Sequence, residues 1–341
     1  MNFVTGSTGL VGMHLLTALL ARNEGVRALF RDPASRRQAE TFITNQGVST
    51  AKLEWFEGDV LDIQAMEDGM HGCTRVFHAA ALVSFHRRDR DALYRVNIGG
   101  TANVVNAALS EGIETLVYIS SVAALGRNTK GIPISEESEW KDGPQLTNYA
   151  RSKHMAEREV WRGREEGLRV VVVQPAIILG AGDFSRSSAE LFRRVYEGLP
   201  FYPPGSNGFV GVQDVVRACL HLLDNGHYNR PYVLVAEHRS WQSIITTIAE
   251  GMQRRAPQRV ASKFLMHAAR IAAWLQQLIT GRKAFITRES VRSAGGVMVY
   301  DRSRISHEAQ FEFSAIDAVI AETVQYFLRQ TVNSTPDRRK D

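Results

Sequence analysis

The stretch Phe3-Val4-Thr5-Gly6-Ser7-Thr8-Gly9-Leu10-Val11-Gly12 constrains this chain more than any other. A short apolar run ends at Thr5, three glycines follow at three-residue spacing, and an amphipathic run from Met13 to Leu20 comes next. That order reads as strand, tight turn, helix. The turn needs positions without a Cβ, first to bend and then to let a pyrophosphate reach the backbone. The helix N-terminus then offers free N–H groups and partial positive charge to phosphate oxygens. The spacing is GxxGxxG rather than GxGxxG, and a glycine-rich β-turn is the bland reading. A strand before it, a helix after it and a second strand near Val26 favour a dinucleotide cradle.

The same rhythm continues. Strand-like runs recur at Val26 to Phe30, Lys52 to Phe56, Arg75 to His78, Thr115 to Ile119 and Arg169 to Val173. Helical runs lie between them, at Ala34 to Gln46, Ile63 to Met70, Asp91 to Glu111 and Leu146 to Glu166. Strands alternating with helices predict an α/β fold, a doubly wound parallel sheet covered on both faces and joined by right-handed crossovers. After Pro175 the rhythm loosens. A helix over Ser188 to Glu197 precedes a Pro/Gly-rich loop from Leu199 to Gly208. Short strands at Phe209 to Val212 and Tyr232 to Val235 flank a helix from Gln213 to Leu223. Further helices are expected over Trp241 to Gln253, Phe264 to Thr280 and Ala315 to Gln330. The expected organisation is a dinucleotide-binding domain over 1–175, with 209–236 contributing to it. A smaller, mixed, mainly helical substrate region covers 176–332, and 333–341 is a disordered polar tail.

Composition narrows the partners. The net charge is +5 over 341 residues, with no run of five or six like charges, so no nucleic-acid tail is indicated. Cys73 and Cys219 have no metal or redox spacing and fit free thiols in a reducing, cytoplasmic setting. The first strand begins almost at Met1, so no signal peptide is expected. No apolar run reaches transmembrane length. The run 264–280 carries Leu265, Ala268, Ile271, Ala272, Leu275 and Leu278 at helical spacing. It reads as a core or pocket-covering helix in preference to a membrane-surface one.

Tyr149 and Lys153 stand at i and i+4, on one face of a helix. An ammonium near a phenol favours the phenolate and lowers its pKa, which suits proton transfer near neutral pH. A surface Tyr–Lys pair is the bland reading. Here the pair follows Ser120-Ser121 at the C-terminal end of an expected strand, where open α/β sheets bind ligands. His78 falls in a strand and His86 in a polar loop, so neither is the preferred acid or base.

These residues together resemble the extended short-chain dehydrogenase/reductase superfamily, of NAD-dependent epimerase/dehydratase type. The likeness rests on Thr5 to Gly12, Gly58-Asp59-Val60, His78-Ala79-Ala80-Ala81, Asn97, Ser120-Ser121-Val122-Ala123 and Tyr149 to Lys153, in the family's order and spacing. The look is nearest to the dihydroflavonol 4-reductase and 3β-hydroxysteroid dehydrogenase branch. The resemblance implies a Rossmann-type domain and a Ser/Tyr/Lys catalytic set. Placing Gly126 on the glycine that closes the family's serine motif makes Ser121 the catalytic serine. Tyr149 is then the acid or base, and Lys153 holds the nicotinamide ribose and tunes Tyr149. Gly6, Ser7, Thr8, Gly9, Leu10, Val11 and Gly12 would meet the cofactor, with Asp59 and Val60 at the adenine. Ala79, Ala80, Ala81, Pro175, Ala176 and Ile178 would line its path. Asn97 would hold backbone geometry beside the site. Helices 91–111 and 147–166 form the family's usual homodimer contact, although their stripes serve equally well as core.

Two residue comparisons sharpen the expectation. NAD-specific relatives carry an acid at the end of the second strand, where this chain has Phe30, followed by Arg31 and, further on, Arg36 and Arg37. Guanidinium suits a 2′-phosphate, so NADP(H) is expected over NAD(H), with Asp32 the tempering neighbour. Nucleotide-sugar relatives read roughly Arg-Asp-Phe-Val-His-Val-x-Asp, where this chain reads Asn207-Gly208-Phe209-Val210-Gly211-Val212-Gln213-Asp214. The diphosphate-pairing arginine is absent there, although Arg186, Arg193 or Arg194 offers charge from another direction. The expectation is therefore an NADP(H)-dependent reductase of an apolar carbonyl, or a dehydrogenase of the matching alcohol. A nucleotide-sugar epimerase or dehydratase with tightly bound NAD, and a non-catalytic redox sensor, are the alternatives.

Overall fold

The computed structural model describes residues 1–126, 131–144, 146–185, 187–261 and 295–334. The expected helix 264–280 and the end of the tail lie outside the described residues. The chain divides into two compact units. One holds Met1–Ala176, Val212–Val235 and Tyr300–Phe313; the other holds the described parts of Ile177–Gly211, Ala236–Val299 and Ser314–Asp341.

The first unit is built on a seven-stranded sheet. Its strands are β1 (Asn2–Thr5), β2 (Val26–Phe30), β3 (Leu53–Glu57), β4 (Arg75–His78), β5 (Thr115–Ile119), β6 (Arg169–Pro175) and Pro231–Leu234. The last of these pairs with β6, and the spatial order from that edge is followed by β5, β4, β1, β2 and β3. Every pairing in this sheet is parallel. Val170 to Val173 and Phe3-Val4 are fully buried, as expected of strands covered on both faces. One layer of the sheet's covering holds α1 (Leu10–Ala21), α2 (Pro33–Asn45) and the helix Val212–Asp224. The other holds α3 (Ile63–Met70), Gly100–Ser110 and Asn148–Glu165. Local sequence sets the helix starts: Asp32 accepts from Ala34 N and Ser35 N with Pro33 behind it, and Thr147 accepts from Ala150 N.

The reversal of strand order lies between β1 and β4. There the chain leaves β1 at Thr5 and β4 at His78 on the same sheet end, which is where ligands bind in such sheets. The single helix expected over 91–111 is divided. Arg90–Leu93 is α-helical, Tyr94–Gly99 is a π-helical turn, and α-helix resumes at Gly100. Asn97 sits in the π turn, a feature that recurs at functional sites.

The second unit has its own sheet. Ile177–Leu179 pairs parallel with Ser206–Gly211, and Glu237–Ser240 pairs antiparallel with the same strand. The Pro/Gly-rich loop expected over 199–208 therefore contains strand: Phe201–Tyr202 pairs with Arg259–Val260, and Ser206 opens the longer strand. Helices Glu190–Glu197, Trp241–Gly251 and Ile316–Ser334 bury Phe192, Ile244, Ile248, Ile320 and Val324. Helix runs through Asn333, where the expected tail begins.

Candidate active site

The glycine turn leaves no space for side chains. Gly6 has φ +67°, and a Cβ there would stand 2.5 Å from Ala79 C and Ala80 N. A Cβ on Gly12 would meet Gly6 O at 2.1 Å. Ser7 is fully buried and donates to Leu29 O at 2.5 Å, which ties the turn to β2. Gly9 caps α1 with no side-chain bond, so the first-turn N–H groups of Leu10, Val11 and Gly12 point out of the helix start. Ala79 N donates to Thr5 O at 3.2 Å, Ala80 N lies 3.4 Å from the Thr5 hydroxyl, and Ala81 is exposed beyond them.

Arg31 and Asp59, expected separately, pair with each other at 3.0 Å. Asp59 also caps Leu61 N, and Val60 is buried with its carbonyl bonded by Asn103. Asp32 is turned to the start of α2, so it does not hold Arg31. Arg36 stacks over Phe30 and Trp55, with 5.3 and 5.7 Å to their ring centres. Pro175 ends β6, and Ala176 N donates to Leu234 O. Ile178 lies on the short strand that opens the second unit.

Asn97 fixes two segments at once. Its amide pairs with Leu82 at both backbone positions, at 2.7 and 3.0 Å, and donates to Ser152 Oγ at 2.9 Å. It thus holds the loop after β4 against the helix bearing Tyr149. On that loop Phe85 lies edge-on to Tyr149, ring centres 5.9 Å apart.

Ser121 hydrogen-bonds Tyr149 and accepts from Ala123 N at 3.1 Å. Its neighbour Ser120 faces inward and is buried. A Cβ on Gly126, the glycine used to choose between the two serines, would collide with Glu139 O. Burial raises the Tyr149 phenol above its ordinary range, and the Ser121 bond opposes this. The expectation that Lys153 lowers the Tyr149 pKa is not met in this geometry. The lysine runs inward instead, donating to Tyr118 Oη at 2.8 Å and Ile119 O at 3.0 Å. Burial brings the Lys153 ammonium down to about 7, with Glu157 opposing the fall.

Behind the lysine is a polar core. His78, buried between Thr5 (2.7 Å) and Thr101 (2.9 Å), is brought down to about 3 by desolvation, with the Lys153 charge adding to it. It is a neutral structural histidine. Phe85, Tyr118 and Glu157 escape the motifs. Phe85 stands in a loop without periodicity, Tyr118 reads as one more apolar strand residue, and Glu157 is one acid among several on a charged helix. The spacing Lys153 to Glu157, i to i+4, was the available signal.

The model of the NAD dependent epimerase/dehydratase family matches residues 2–234. The chain belongs to that family. It is an NAD(P)-dependent oxidoreductase of the extended short-chain dehydrogenase/reductase superfamily. This family member is 30% identical over 334 residues to a putative dihydroflavonol 4-reductase of a Synechocystis strain, covering 95% of this chain and 94% of the relative. It is 29% identical over 332 residues to sterol demethylase protein B of Methylococcus capsulatus, covering 96% and 98%. Its fold matches Gre2 of Candida albicans, solved in a complex with NADPH, at a TM-score of 0.73 and 19% identity over 96% and 98% of the chains. Among the described residues, no helix of this family member is long and apolar enough to cross a membrane, and no group of His, Cys, Asp and Glu suits a metal ion.

Proposed function

We propose that the chain uses NADP(H) to reduce the carbonyl of a largely apolar or aromatic small molecule, or to oxidise the corresponding secondary alcohol. The observation that carries this reading is the Ser121–Tyr149 pair with the Phe85 ring against the phenol. A proton donor and a hydroxyl converge beside an aromatic ring, an arrangement suited to an apolar carbonyl compound.

The cradle fits a dinucleotide, because Gly6 and Gly12 leave backbone where any Cβ would collide. Gly6 to Gly12 would hold the pyrophosphate, Asp59 and Val60 the adenine end, and Ala79 to Ala81, Pro175 and Ala176 the path to the nicotinamide. When bound, the dinucleotide supplies or accepts a hydride at its nicotinamide ring. Tyr149 delivers a proton to the developing alkoxide. A phenol kept protonated by burial is ready for that direction of transfer. Ser121 holds the same oxygen by a hydrogen bond. Two Lys153 protons go to Tyr118 and Ile119, and the third would serve a ribose hydroxyl.

Arg31 supports NADP(H). Its side chain is 73% exposed and its partner is one surface carboxylate. Such pairs contribute only about 0.2–1 kcal/mol, so the guanidinium is free to turn to a 2′-phosphate. The substrate class is supported by Asn207, whose side-chain oxygen accepts from Gly208 N where nucleotide-sugar enzymes carry arginine. Arg193 and Arg194 are both drawn to Glu190, and Arg239 to Glu237 and Asp317; Arg186 lies outside the described residues. A diphosphate lacking that cation loses a charge-assisted contact of about 1.5–3 kcal/mol. The names of the two relatives, a putative dihydroflavonol 4-reductase and sterol demethylase protein B, agree with an apolar substrate. Calorimetry with UDP- and dTDP-sugars on the NADP-loaded protein tests the class: no binding is expected, and micromolar binding overturns the reading.

A further inference from the structure

Glu157 is a buried carboxylate surrounded by donors. Ser120 Oγ donates to it at 2.5 Å, Gln174 Nε2 lies 2.9 and 3.0 Å from its two oxygens, and Trp161 Nε1 donates at 3.2 Å. Glu157, Ser120 and Gln174 are 8, 5 and 2% exposed. All three partners present hydrogens, the set that suits an ionised acid. Gln174 turns its amide nitrogen to the acid and leaves its own Oε1 buried without a partner among the described residues. Left alone, an orphaned buried carbonyl is unfavourable. In this orientation the Gln174 amide offers its N–H groups to both oxygens of the acid.

The carboxylate is linked to Lys153 by hydroxyls. Lys153 Nζ donates to Tyr118 Oη at 2.8 Å, Tyr118 hydrogen-bonds Ser120, and Ser120 donates to Glu157. An ammonium only donates and a carboxylate only accepts, so the chain has one direction: Lys153 to Tyr118 to Ser120 to Glu157. Tyr118 also hydrogen-bonds Thr101. The titratable groups facing this chain are His78 on β4, Tyr118 on β5, and Tyr149 and His154 on the lysine's own helix. His78 is held neutral, which leaves Glu157 as the negative charge within reach of the ammonium.

We propose that Glu157 is a positioning residue, acting through Ser120 and Tyr118 to keep Lys153 charged and aimed along β5. It rests on reading Lys153 as the lysine that handles the cofactor, and extends that reading to the apparatus behind it. Helix Asn148–Glu165 thus presents the phenol, the ammonium and the counter-charge on one face at successive four-residue steps.

The test is the protonation midpoint of Lys153, followed by the side-chain NMR signals of ¹³C,¹⁵N-lysine-labelled full-length protein and assigned with Lys153→Met. It needs no substrate or cofactor, so failure of the reductase reading would leave the result intact, and a midpoint that ignores Glu157 would leave that reading intact. Glu157→Gln is expected to lower the midpoint by about one pH unit, a tenfold loss in proton affinity. Ser120→Ala, which removes one link and keeps the acid, is expected to lower it in the same direction by less. If Glu157→Gln fails to fold, Ser120→Ala decides. A midpoint unchanged in the folded variants assigns Glu157 a packing role only and overturns the proposal.

Discussion

Gly12→Ala is the sharpest perturbation of the cofactor cradle. The added Cβ would stand 2.1 Å from Gly6 O and 2.8 Å from both Gly6 C and Ser7 Cα, where ordinary contact begins at 3.4 Å. All three are backbone atoms, so no side chain can swing aside. The glycine turn must open by over about 1 Å, a change that costs about 1–3 kcal/mol in a close-packed site. Ser7, tied to Leu29 O, moves with the turn. Loss of one charge-assisted hydrogen bond to pyrophosphate adds about 1.5–3 kcal/mol, roughly 10- to 100-fold in Kd. The assay is NADPH titration by nucleotide fluorescence, beside a thermal melt. Gly99→Ala is the control. Gly99 is already helical, at φ −62° and ψ −43°, and a Cβ there meets nothing within 4 Å. Alanine there is expected to leave NADPH affinity unchanged and to stabilise by up to about 1 kcal/mol. Wild-type affinity in Gly12→Ala, or equal loss in the two variants, would refute the cradle.

Three further outcomes are expected. His78 is neutral when folded down to about pH 3, while the unfolded chain binds its proton below about 6.5. Stability should therefore fall by about 2 kcal/mol from pH 7 to pH 5 through this residue, and urea denaturation should show a smaller fall in His78→Gln. Lys153 titrates near 7 in the folded protein against 10.5 ordinarily, so folding expels its proton between those values. Wild type should gain stability relative to Lys153→Met as pH rises through that window; a parallel pair of pH–stability curves would contradict this. Arg31→Ala should cut the NADPH-to-NADH affinity ratio about tenfold or more, and an unchanged ratio would remove Arg31 from cofactor choice.

The parallel sheet was legible because its strands are short, largely apolar runs, four of them closed by Gly6, Gly58, Ser120 and Pro175, and such runs are local. Tyr149 and Lys153 fall on one helix because their i, i+4 spacing is local, whereas the choice of Ser121 over Ser120 rests on the family's serine motif, closed at Gly126. Other features depend on distant partners. Asn97 reaches Leu82 and Ser152, 15 and 55 residues away, and nothing near it in sequence marks the π turn that aims it. Tyr118 looks apolar in its strand until Lys153 arrives from 35 residues on. The pairing of Arg31 with Asp59 crosses from β2 to the loop after β3, so each residue read alone gave no sign of the other. In the second unit, two- and three-residue strands such as Phe201–Tyr202 carry no alternation to detect.

The most direct measurement is transfer of deuterium from C4-deuterated NADPH to a panel of aromatic and steroidal ketones, followed by mass spectrometry. The predicted result is a deuterated alcohol formed in step with NADP⁺, with Tyr149→Phe slower by about 10²- to 10⁴-fold and still folded. Conversion of a nucleotide sugar with no net oxidation of NADPH, or a Tyr149→Phe variant with wild-type turnover, would contradict the account.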